Sequence, residues 1–445
     1  MNKYLRKNEQ QSFASNRKGI LYLDIENVKH FNMSKPAERQ RNYLRPLTWA
    51  ISFPAVWRHK TKIVKTNMEG LKPPYILLCN HNAFLDFKVA TAAIFPARAN
   101  YVVAIDGFVG REWIMRKVGC ICKRKFTSDV TLVRQLKRVI DNGDVAVIYP
   151  EARYSLCGTN AVLPESLGKL AKMLKVPVVT LICHGHHINS PFWNTANRRI
   201  KGTEAELTQI IRAEEISNLS IDEINRRIKE KFVYDDFAWQ KERNLVVKYP
   251  FRARGLHRVL YQCPNCSKEY HMSSSGKTLK CKNCGKEWEM TELGELQAKT
   301  GKTEYSHIPD WYEWERANVR KEIENESYCF KAPVRVFSLP NSKGYIKLGK
   351  GLLTHDMNGF LLEGTYKGKP YQVEKSVASL YSCHIEYNYL HKFGDCIDLN
   401  TLTDTYYIYP YDCSFSVTKV ALATEELFYY DRKKKNKADA YCNHK

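Results

Sequence analysis

Apolar and polar positions fall into distinct regimes along the 445 residues. Between about residues 62 and 199, short apolar runs take turns with amphipathic stretches. The runs at 75–79, 101–104, 145–149 and 178–183 read as buried strands, and helical spacing appears over 84–94, 110–118, 130–142 and 164–174. Strands alternating with helices predict an α/β domain. Residues 204–242 are charged and read as helices closing that domain. A helix over 311–326, with acidic and basic residues three and four apart, reads as a connector.

The remainder changes character. From about 334 to 410, short β-rich runs are broken by Gly344, Gly349, Gly351, Gly359, Gly364 and Gly368, and a helical pattern follows over 418–431. This predicts a β-rich domain, a small barrel or sandwich capped by a helix, for which a pleckstrin-homology-like shape is one form. The expected organisation is a basic extension (1–44), an α/β domain (45–250), a cysteine module (258–292), a helical connector (293–330), a β-rich domain (331–432) and a basic, disordered tail (433–445). The extension contains one strand-like run at 20–25. Residues 45–60, RPLTWAISFPAVWRHK, place Trp49, Ile51, Phe53, Val56 and Trp57 between basic residues. That suits either an element lying on a bilayer or a helix packed on its own domain.

Charge narrows the partners. Lys+Arg 70 against Asp+Glu 47 gives a formal charge of +23, which attracts polyanions, whether an anionic membrane face or nucleic acid. The N-terminal MNKYLRKNEQQSF lacks the apolar core of a secretion signal, and no apolar run has the length of a membrane span. A cytoplasmic protein, peripherally associated with the cytoplasmic face of the membrane, is expected.

The 14 cysteines are too unevenly spread for a disulfide scaffold. Most sit in apolar runs and read as reduced core residues. Four do not: Cys263-x2-Cys266 and Cys281-x2-Cys284 form two thiolate pairs that can close a tetrahedral zinc site, with no open position for catalysis. The expected module is a small zinc ribbon holding one structural Zn²⁺. Inside it, Ser275-Gly276-Lys277-Thr278 looks like the end of a phosphate-binding loop. That motif needs a glycine where His271 stands, so the segment reads as a hairpin turn.

The chemistry concentrates at Asn80-His81, just past the 75–79 strand, with Asp86 following the histidine after four intervening residues. At the first turn of a helix, such an aspartate can reach one imidazole nitrogen and leave the other free to take a proton. Three segments follow in order: Gly119-Cys120-Ile121-Cys122-Lys123-Arg124-Lys125, Tyr149-Pro150-Glu151-Ala152-Arg153-Tyr154-Ser155 and Val176-Pro177-Val178-Val179. Together the four resemble the blocks of the glycerolipid acyltransferases, the lysophosphatidic acid acyltransferase family.

The resemblance implies His81 as general base and Asp86 as its orienting partner. It further implies Arg124 or Lys125 on the acceptor's phosphate, and Asn80, Glu151 and Arg153 about the acceptor. The resemblance also implies direct passage of the acyl group from a thioester, acyl-CoA or acyl carrier protein (ACP), to the hydroxyl of a lysophospholipid such as 1-acyl-glycerol-3-phosphate. The third block departs from the family's Pro-Glu-Gly-Thr-Arg-Ser, with Ala152 for glycine, Arg153 one place early and Tyr154 in the usual arginine position. The competing reading is a non-catalytic zinc-ribbon module binding nucleic acid or protein. Basic residues spread along the whole chain, with no nucleic-acid motif among them, disfavour nucleic acid. His184, His186 and His187 lack matching acidic or cysteine partners in sequence and are not read as a metal site.

Overall fold

The computed structural model describes residues 28–194, 196 and 198–442, so the run at 20–25 lies outside the described residues. The first domain is built from α1 (Arg45–His59), β1 (Lys62–Thr66), β2 (Tyr75–Cys79), α2 (Leu85–Ala93), β3 (Ala99–Ala104), α3 (Glu112–Lys117), β4 (Cys120–Lys123), α4 (Val130–Asp141) and β5 (Val145–Ile148). It continues through α5 (Ser166–Leu174), β6 (Val178–His184), α6 (His186–Asn189), β7 (Glu204–Ile211), α7 (Ala213–Ile216), α8 (Ile221–Lys231) and α9 (Asp236–Glu242). Its strands form one sheet in the order β1-β7-β6-β2-β5-β3-β4, parallel at every pairing except β6 with β7. With helices on both faces, the central strands have no solvated side, and all five residues of β2 are buried.

Two expectations are corrected here. Residues 204–211 are a strand, not a helix: Ala205 and Leu207 turn inward while Glu206 faces out, the period-2 pattern of an inserted strand. The tail is not disordered throughout, because the last helix runs on to Cys442.

Helix α1 is inverted relative to an ordinary surface helix. Thr48, Ser52 and His59 face inward, while Leu47, Ile51, Phe53 and Trp57 are exposed. Phe95, just past α2, packs edge-on against Trp49 and Phe53 of α1 and adds to the same exposed aromatic surface.

The cysteine module is an antiparallel sheet, β8 (Met272–Ser275), β9 (Thr278–Cys281), β10 (Glu287–Met290) and β11 (Leu296–Ala298). The pairing Ser275↔Thr278 leaves Gly276 and Lys277 as a two-residue hairpin turn, with Gly276 at φ +54°. Connector α10 (Ile308–Glu324) leads to β12 (Phe330–Ser338), β13 (Ile346–Asp356), β14 (Gly359–Tyr366), β15 (Lys369–Ser376), β16 (His384–Glu386), β17 (Cys396–Asn400), β18 (Thr405–Pro410) and α11 (Val417–Cys442). These seven strands pair antiparallel in the order β15-β14-β13-β12-β18-β17-β16. One continuous core of buried residues runs from Leu156 and Trp193 of the first domain through the cysteine module and α10 to Val420 and Leu427 of α11.

Candidate active site

The carboxyl ends of central strands in an open α/β sheet are where ligands bind, and His81 stands at the end of β2. Both neighbouring strands pin it. Asn80 donates from Nδ2 to the Cys183 carbonyl (2.9 Å) and accepts from the Cys183 amide at Oδ1 (2.8 Å), fastening β2 to β6. On the β5 side, Glu151 Oε2 accepts the His81 backbone N–H (2.8 Å), and the Ser155 amide donates to the His81 carbonyl (2.8 Å). Asn80 and Glu151 therefore hold the histidine's backbone.

The His81 imidazole meets Asp86 through Nδ1 and Oδ2 at 3.2 Å. Asp86, fully buried in the first turn of α2, also accepts at Oδ2 from the amides of Asn82 (2.6 Å) and Ala83 (2.9 Å). Its other oxygen pairs with His186 Nδ1 at 2.5 Å. Burial alone raises a carboxyl pKa, but the hydrogen bonds from His186 and His81 outweigh it and hold Asp86 at about 2. With Nδ1–H donating to a carboxylate, the imidazole lone pair sits on Nε2. The ring lies between Tyr149 and Tyr154, each with centroids 4.3 Å away, and the side chain stays 23% exposed. The site thus presents an oriented imidazole to solvent.

His186 is the residue that sequence spacing misses. It lies 100 positions from Asp86, and only the β6–Gly185–α6 turn, with Gly185 at φ +82°, brings it beneath the carboxylate. A Cβ on Gly185 would stand 2.8 Å from the Trp239 ring. Glu151 is a different kind of group: burial pushes it up to about 7, against hydrogen bonds from the amides of Ala161 and His81 and from Tyr234.

The two motif arginines do not converge on His81. Arg124 is buried and donates to the carbonyls of Leu339 (3.0 Å), Pro340 (3.0 Å) and Thr403 (2.7 Å) and to the Thr405 hydroxyl (2.7 Å). Arg153 is buried, and its Nη2 donates to Glu425 of α11 at 2.7 Å. Arg124, expected on the acceptor's phosphate, and Arg153, expected about the acceptor, both find hydrogen-bond acceptors in the β-rich domain and its α11. Lys125 keeps some exposure, with Nζ 4.0 Å from Asp398.

The four ribbon cysteines do come together. Their Sγ atoms all lie within 4.8 Å of one another, with Cys263–Cys284 at 3.7 Å and Cys266–Cys281 at 3.8 Å. Thiolates about 2.3 Å from a tetrahedral zinc stand about 3.8 Å apart, so this donor set fits the ion. Among the described residues, no helix is long and apolar enough to cross a membrane.

Residues 59–184, from the end of α1 to the end of β6, match the family model described as Acyltransferase. Among solved structures, the 1-acyl-sn-glycerophosphate (LPA) acyltransferase PlsC from Thermotoga maritima is similar at 14% identity and a TM-score of 0.36, covering 45% of this chain and 80% of that chain. No curated protein matches.

Proposed function

We propose that the first domain transfers a fatty acyl group from a thioester, acyl-CoA or acyl-ACP, to the hydroxyl of a lysophospholipid, with 1-acyl-glycerol-3-phosphate as the family's reference acceptor. The observation that carries this is the Asp86–His81 pair, oriented, partly exposed and fastened from both flanking strands. His81 Nε2 takes the acceptor's hydroxyl proton as its oxygen bonds to the acyl carbon. The carbon–sulfur bond then breaks, and the thiolate leaves with the proton from His81. Asp86 stabilises the imidazolium formed in between, and His186 holds Asp86 from behind.

Lys125 is the motif cation left near the acceptor's phosphate. Asn80 and Glu151 act as positioning residues. The four cysteines hold a structural Zn²⁺ that fixes the ribbon under α10. The exposed Leu47, Ile51, Phe53 and Trp57 of α1, with Arg45, Arg58 and Lys60 in the same segment, dock the enzyme on the anionic cytoplasmic face of the membrane, where its substrates lie.

The test is transfer of labelled acyl-CoA and acyl-ACP to a panel of lysophospholipids, run beside His81→Ala. The variant is expected to lose about 10²–10⁴-fold in rate. Full activity in His81→Ala, or no acceptor acylated by the native chain, refutes the assignment.

A further inference from the structure

Between α1 and α2 lies a cavity of about 200 Å³ that the acyl-transfer chemistry does not use. Arg58 and His59 reach it from the last turn of α1, Lys88 from α2, and Arg199 from the connection between α6 and β7. Ile51 and Ala55 line it on the α1 side. Three cationic side chains from three separate segments thus converge on one small space, and no carboxylate lines it. The chain from 39 to 68 carries no acidic residue, and Asp86, the one acid of α2, is buried and turned to His81 and His186. Lys88 Nζ lies 5.4 Å from the centroid of the exposed Phe84 ring. The dipole of α1 accounts for cations in its own last turn, but not for Lys88 and Arg199, which arrive from elsewhere.

Like charges gathered without acids repel one another, and an anion seated between them relieves that repulsion. The cavity is smaller than the roughly 300–1,000 Å³ of pockets that enclose a drug-sized ligand, so it takes one compact group rather than a whole lipid or nucleotide. The surroundings indicate where that group comes from. Ile51, which lines the cavity, is itself 44% exposed and continues into Phe53 and Trp57 on the outward face of α1. An interfacial helix lies with such an apolar stripe among the acyl chains and its cations at the level of the phosphates. A soluble phosphate makes no use of the stripe.

We infer that this cavity seats the phosphate of a bilayer phosphomonoester lipid, of which phosphatidic acid is the simplest: Arg58, Lys88 and Arg199 meet the phosphate, and the lipid's chains run along Ile51 and the face of α1. This rests on the docking of α1 proposed above and adds a headgroup preference that surface charge alone does not produce. A phosphomonoester carries about −1.5 to −2 charges on three terminal oxygens, against one charge on two for a phosphodiester, so three converging cations discriminate in its favour.

The full-length protein is mixed with phosphatidylcholine vesicles containing either phosphatidic acid or phosphatidylglycerol, matched in zeta potential, and bound protein is measured by co-sedimentation. The native chain is expected to bind the phosphatidic acid vesicles about tenfold more tightly. Lys88→Met and Arg58→Gln each remove one cation, and Ala55→Leu fills the cavity with every charge left in place. Each of the three is expected to bring the ratio close to one. Lys60→Gln removes a cation of the same segment that does not line the cavity, and should weaken binding to both vesicles while keeping the ratio. Glycerol 3-phosphate, supplied at the same phosphate concentration as the vesicles, is expected to leave the ratio unchanged. Equal binding to the two vesicles, a ratio that survives in whichever cavity variants fold, or a ratio erased by glycerol 3-phosphate overturns the inference and leaves the docking of α1 intact. Binding to neither vesicle overturns that docking, and the inference with it.

Discussion

Glu425 is the position where one atom-scale change should be felt across three domains. Its buried carboxylate accepts from Arg153 Nη2, Arg316 Nη1 and the Ser382 hydroxyl, each at 2.7 Å, tying the 149–155 loop to α10, the β-rich domain and α11. Glu425→Gln keeps the shape and deletes the charge, leaving the buried Arg153 guanidinium without its counter-ion, while Arg316 keeps Glu313 and Glu426. Breaking a buried pair in this way costs about 3–5 kcal/mol. With a urea slope of about 3 kcal/mol/M, the unfolding midpoint falls by about 1 M or more, read from tryptophan fluorescence. The pH dependence has a definite sign. Burial raises the Glu425 pKa, but Arg153 and Arg316 outweigh it and depress the folded value below that of the unfolded chain. Its contribution is therefore complete above the unfolded pKa of about 4.3 and lost as pH falls through the folded value, so native and variant should converge in acid. Arg153→Met combined with Glu425→Leu is expected to cost less than the sum of the single changes, because the two interact directly. A cost below about 1 kcal/mol at pH 7, or strict additivity of the pair, would refute the claim that this network holds the domains together.

Three further outcomes follow from the site. His186→Asn is expected to lower kcat about tenfold or more with KM little changed, since it acts through Asp86; a KM effect alone would contradict that role. Zinc chelation or Cys281→Ser should loosen the ribbon and raise protease sensitivity around α10, with released metal measured as about one equivalent per chain; stability unaffected by chelation would remove the structural ion. Trp57→Ser with Ile51→Ser should weaken binding to anionic vesicles while leaving turnover of detergent-dispersed substrate near native; unchanged vesicle binding would point away from α1.

How much was legible in the chain depended on the range of the interaction. The β2 strand, the His81–Asp86 spacing and the two cysteine pairs are local, and periodicity or short spacing carries each of them. Strand β7 was not legible: EAELTQII contains good helix formers, and only its place between β1 and β6 settles the matter. His186 carries no local sign, because its partner is 100 residues away. The fate of Arg124 and Arg153 was hidden for the same reason. Their motifs resemble anion-binding loops, yet their acceptors belong to elements that the local pattern cannot place.

That distance also sets a timetable. Arg124 waits for acceptors 215 to 281 positions downstream, and Arg153 for one 272 positions on. At about 5–20 residues per second of synthesis, the interval is roughly 15–55 s. Throughout it, the emerging chain already holds His81 and Asp86 while two bare guanidiniums stand nearby. An interrupted translation product thus lacks the acceptors that bury Arg124 and Arg153 in the finished chain. Completion of the last helix works as a quality stamp, applied only when the whole message has been read.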